Sequence, residues 1–174
     1  MIQRALFLAV LSCRPIADSA SSGSGTGTVS GSFAGMPFDS IGAAFHIGAA
    51  DDPTDTIVVE LFDQPVACDA ISSTGWDTRL DGVQALELKM VGTTQGAYPV
   101  SGGPSPGKGE ADANYTLTAT NGTPSETSAT AGSVVVDAVV VGADAQGTFD
   151  LTFPNEDALT GTFDAAWCAG GREP

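Results

Sequence analysis

The chain has 174 residues, enough for one domain with a sizeable core and too few for two. Six Lys and Arg against 21 Asp and Glu give a net charge of −15, and no two of the cations adjoin. Phosphate binding needs clustered cations, so nucleic acid is excluded as a partner and anionic lipid head groups are disfavoured, whereas a carboxylate excess suits solubility at a cell surface.

Residues 1–12 carry one charge at Arg4, an apolar run from Ala5 to Leu11 and then Ser12, and Cys13 follows. Such a run matches the apolar part of a secretory signal and falls far short of the ~20 residues that span a bilayer. The stretch Val10-Leu11-Ser12-Cys13 resembles the lipobox of bacterial lipoproteins, with an aliphatic residue three before the cysteine and a small one just before it. The resemblance implies that residues 1–12 are removed as a signal peptide and that Cys13 becomes the lipidated first residue. The rest then stands outside the cytoplasm, at the outer membrane or cell surface, touching the membrane through its lipid anchor only. A secreted soluble form is the alternative location, and a buried apolar strand or helix with an incidental cysteine is the competing reading of the run. Removing the signal leaves five cations against 21 acids, a charge of −16.

Residues 13–27 form the expected tether, because Ser19 to Gly27 reads SASSGSGTG and has almost nothing apolar to bury. With Cys13 assigned to lipid, Cys68 and Cys168 remain as an even pair in an oxidising compartment and are predicted to be bridged. The closed loop of about 100 residues corresponds to ~4.7 kcal/mol in chain-entropy terms. Two separate buried thiols are the alternative.

From residue 28 to 174 the apolar pattern repeats every second residue, as in strands. Val29, Gly31 and Phe33 come first, then a strand over Phe38 to Ile47, then Ile57, Val59 and Leu61. Leu86, Leu88 and Met90 alternate with Glu87 and Lys89, and Tyr115, Leu117 and Ala119 alternate with Asn114, Thr116 and Thr118. Strands over 133–141, 147–153 and 159–167 are close enough in sequence for a meander of hairpins. Segments 101–110 and 121–132 read as long loops, and only Val66 to Ser73 invites a helical turn. Thr148-Phe149-Asp150 and Thr162-Phe163-Asp164 look alike and read as paired strand edges. The prediction is an all-β domain, an antiparallel β-sandwich or jelly roll of about 8–9 strands, with a closed β-barrel as the alternative. An immunoglobulin-like reading is weakened by the spacing of Cys68, Trp76 and Cys168.

The chemical motifs each lack a part. His46 is the lone histidine, and by alternation it faces away from Phe45 and Ile47, which places it at the surface rather than in a catalytic triad. Gly103-Pro104-Ser105-Pro106-Gly107 spells a nucleophile elbow with no helix to follow, and Gly102 to Gly109 is a phosphate loop whose prolines lack N–H donors. Zinc-ligand spacing is missing, and no catalytic residue is assigned. Asp51, Asp52 and Asp55 share one turn that could hold a hard cation such as calcium, against a plain reading as solvated turn acids. Trp76, between Gly75 and Asp77, is the candidate contact aromatic, while Trp167 is expected to pack beside the bridge. Asn114 and Asn121 head glycosylation sequons that matter only in a eukaryotic host. These readings favour a non-catalytic, lipid-anchored domain that binds a protein or glycan partner or serves structurally at the envelope. A carboxylate-based hydrolase and a calcium-stabilised adhesion-type module are the alternatives.

Overall fold

The computed structural model describes residues 25–48, 56–66, 68, 71–72, 75–76, 82–103, 105–119 and 124–168. Its strands are β1 (Thr26–Phe33), β2 (Met36–Pro37), β3 (Gly42–Ile47), β4 (Thr56–Phe62), β5 (Ile71–Ser72), β6 (Gly75–Trp76) and β7 (Gln84–Val91). The series continues with β8 (Gly96–Pro99), β9 (Ala111–Thr118), β10 (Pro124–Ser128), β11 (Ala131–Val140), β12 (Asp144–Thr152) and β13 (Ala158–Trp167). The fold is all-β, as the period-two pattern predicts. Eleven of the strands belong to one curled sheet in the order β10-β9-β7-β4-β3-β13-β12-β11-β8, with β1 beside β13 and β2 beside β1. Strand ladders are antiparallel except where Ala166 and Trp167 of β13 run parallel to Ala44 and Phe45 of β3, and the isolated bridges Thr56–Gly92 and Val100–Ala111 are parallel as well. The Val100–Ala111 bridge joins the end of β8 to the start of β9, so the curl approaches a barrel.

The predicted meander of the last three strands is present with ends shifted by at most three residues. Its sequence likeness has a physical basis. Gly147 stands opposite Phe163, Thr148 opposite Thr162, and Phe149 opposite Gly161, so the two Gly-Thr-Phe-Asp segments pair about a local two-fold centre. Each phenylalanine ring lies over the glycine across from it: a Cβ on Gly161 would run into the Phe149 ring and the Thr28 carbonyl, and one on Gly147 into the Phe163 ring. Filling a strand glycine with a cross-strand aromatic fixes the register.

Several expectations need correction. Segment 121–132 is not one loop, because Pro124–Ser128 pairs with β9 and β11 begins at Ala131. Polar, Pro-led sequence hides such an edge strand. Phe38 to Ile41 lie outside β3, and β1 begins at Thr26, inside the predicted tether. A register shift between Val136 and Ala138 turns Val139 rather than Ala138 onto the core, which breaks the alternation of the Val-rich run.

The concave face carries the main core, including Phe45, Ile57, Val59, Leu61, Leu86, Leu88, Met90, Leu151 and Phe163. At the end where β1 finishes, Phe33 stacks on Tyr115 with centroids 4.1 Å apart and meets Phe153 edge-on at 5.2 Å. Phe45 and Trp167 meet at 5.1 Å toward the other end. A second, smaller cluster sits on the opposite face of the sheet: Ala44, Phe62, Val66, Val83, Ala85 and Cys168, with Cys68 packed against it. The Cys68–Cys168 disulfide is formed, with Cα atoms 5.4 Å apart across 100 residues of sequence. It ties the segment after β4 to the end of β13.

Candidate functional site

The face of the sheet that carries the second cluster also carries buried polar side chains. Along β3, β4 and β7 the core side takes Phe45, Val59 and Leu88, so the intervening His46, Glu60 and Glu87 project to the other face. Cross-strand pairing sets Ala44, Glu60, Glu87, Asn114 and Ser128 in one row across five strands. The neighbouring row holds His46, Val58, Lys89 and Asp112.

His46 is 8 % exposed and Glu60 only 1 %. The expectation that His46 lies at the surface is therefore wrong, although its facing is right: alternation gives the direction of a side chain and cannot tell that a second layer covers that side. His46 Nε2 stands 3.9 Å from Glu60 Oε1, within ion-pair range when the imidazole carries its proton and too far for a hydrogen bond. Both Glu60 carboxylate oxygens and His46 Nδ1 are buried without a hydrogen-bond partner. A buried carboxylate in that state is costly unless a charge or a proton compensates it.

Glu87 faces Glu60 directly across the β4–β7 pair. Its carboxyl is pushed up to about 7, first by burial and then by the charges of Glu60 and Glu126, against the pull of Lys89 and a hydrogen bond from Asn114. Asn114 is fixed in turn, donating from Nδ2 to Asp112 at 3.1 Å and accepting from the Ser128 hydroxyl at 2.7 Å. The row thus holds a proton that can leave near neutral pH. Glu60 is sealed from solvent, whereas Glu87 and Asn114 are half-buried and Ser128 is exposed. Among the described residues no group of three or more His, Cys, Asp or Glu is placed to hold a metal ion.

A second polar feature is a depression of about 230 Å³ lined by Gly25, Thr26, Ala143, Asp144, Asp164 and Ala166. Gln146 Nε2 bridges its two carboxylates, donating to Asp144 at 3.1 Å and Asp164 at 3.4 Å.

The predicted site residues fare unevenly. Cys68 and Cys168 come together as a bridge. Cys13, Asp51, Asp52, Asp55 and Asn121 lie outside the described residues, and Trp76 is placed only as the partner of Ile71 in the β5–β6 pair. Gly103 and Ser105 to Gly107 lie between β8 and β9, and Pro104 lies outside the described residues. Sequence reasoning missed the Glu60–Glu87 pair because each acid sits between two core leucines or valines in a regular alternation, which reads as a wet face. Comparison of the chain with protein-family models, curated proteins and solved structures finds no match.

Proposed function

We propose that the chain is a lipid-anchored, extracytoplasmic β domain with a non-catalytic binding or structural role at the cell envelope. The observation that carries this reading is the Cys68–Cys168 disulfide, since such bonds persist in oxidising compartments and leave Cys13 as the one cysteine free for lipid. The lipobox resemblance, the Ser/Gly tether and the absence of clustered cations agree with it. Among the described residues no helix is long and apolar enough to cross a membrane, a statement that does not bear on β-barrels. The hydrolase alternative would draw on Glu60 and Glu87, but a carboxylate only 1 % exposed is withheld from a polymeric substrate.

The test is membrane partitioning of the full chain made in a bacterial host. Wild type is expected in the membrane fraction and Cys13→Ser in the soluble extracytoplasmic fraction. Unchanged partitioning of the variant overturns the anchor.

A further inference from the structure

The turn between β11 and β12 is unusual for its position. Hairpin turns are ordinarily built from polar residues and glycine. Here Val140 and Val141 are 53 % and 65 % exposed, and the stretch Ala138 to Ala143 carries no charge. The turn is held firmly: Ala143 N–H donates to the Val140 carbonyl at 2.9 Å, and Trp167 N–H donates to the Ala143 carbonyl at 2.9 Å.

The chain enters the domain at the same end. β1 and β12 both run antiparallel to β13, so both start at the end where the β11–β12 turn projects, and the pairing sets Thr26 level with Asp164 and Gln146. Gly25 shares the depression described above with Ala143 and Asp144, at the foot of the turn. Twelve peptide links separate Cys13 from Gly25. Taken as the Ser/Gly-rich tether of the sequence reading, a chain of that length has a root-mean-square span of roughly 20 Å and a limit of about 40 Å. A lipid on Cys13 therefore brings this end of the domain nearer to the bilayer than the Phe33–Tyr115 end, which lies a strand's length further along β1.

We infer that the Val140–Val141 turn is a membrane-contact tip, whose exposed valines enter the interface of a zwitterionic lipid surface once Cys13 is anchored. The inference rests on the anchor reading. Asp137, Asp144 and Asp164 surround the tip, so anionic lipid repels it and uncharged or zwitterionic head groups admit it. The contact sets the orientation of the domain: the turn faces the membrane and the aromatic end faces outward.

The experiment is amide hydrogen exchange of residues 138–144 in the full lipidated chain on phosphatidylcholine vesicles, beside the Cys13→Ser chain with the same vesicles. Flotation is read on the same samples. Slowing by roughly threefold or more, confined to this turn, is expected for the anchored chain, and Val140→Asp with Val141→Asp should abolish it while flotation persists. Phosphatidylglycerol vesicles should give less slowing. Flotation without slowing at the turn overturns the tip and leaves the anchor standing. Loss of flotation in wild type overturns the anchor, and the tip with it. Equal slowing in Cys13→Ser without vesicles marks self-association and overturns the lipid contact.

Discussion

Glu60 and Glu87 stand directly opposite each other on adjacent antiparallel strands, one nearly sealed from solvent and the other partly covered. Like charges in that position destabilise a sheet. Glu87 relieves the conflict by keeping its proton up to a pH of about 7, well above the ordinary 4.5.

The first prediction follows from that shift. Between pH 4.5 and about 7 the folded chain binds more protons at Glu87 than the unfolded chain does. The stability contributed by protonated Glu87 is therefore fully present below 4.5 and is lost as pH rises through about 7. Since water still reaches Glu87, the loss should be about 1–2 kcal/mol, less than the ~3 kcal/mol of an unscreened shift. Urea midpoints at pH 5 and pH 8 check it: Glu87→Gln should gain on wild type at pH 8 and not at pH 5. An equal difference at both pH values would refute the shift.

The charge of Glu60 is the second cause of the shift, after burial. Glu60→Gln should then lower the Glu87 titration midpoint while burial still holds it above the ordinary value. Carboxyl carbon NMR titration reads the midpoint directly, and an unmoved value would show that the two groups do not couple.

The disulfide carries a stability prediction of its own. Bridge loss through Cys68→Ser with Cys168→Ser should cost about 2–5 kcal/mol, because the closed loop is long and the bridge pins the second cluster. Thermal and urea unfolding with and without reductant measure it. A midpoint insensitive to reductant would mean that the second cluster holds by packing alone.

Gly161 tests the register of the meander. Gly161→Ala places a methyl against the Thr28 carbonyl and the Phe149 ring and should destabilise by about 2–3 kcal/mol. Gly103→Ala, with nothing within 4 Å of the new Cβ, is the matched control and should be near neutral. Equal effects of the two would dissolve the Gly–Phe pairing as a cause of register.

Much of the fold can be read from the sequence because it is local. Alternation in Leu86-Glu87-Leu88-Lys89-Met90 gives a strand and its two faces, and a repeated Gly-Thr-Phe-Asp gives a hairpin, since both rest on the period-two geometry of extended backbone. Cysteine parity gave the bridge for a similar reason, as a count constrained by compartment. Polar edge strands such as Pro124–Ser128 escape that reading because their pairing depends on a neighbour rather than on their own pattern.

Facing and covering are different properties, and His46 separates them. Its direction follows from Phe45 and Ile47 beside it, whereas its burial, at 8 % exposure, does not follow from alternation. The proton held by Glu87 belongs to the same class, because it arises from burial and from the facing Glu60 together. The all-β domain and its cysteine pairing were thus determined by the sequence itself. Only the tertiary structure decided which acids are shut in together and which end of the domain the chain enters, since both depend on contacts between residues distant in sequence.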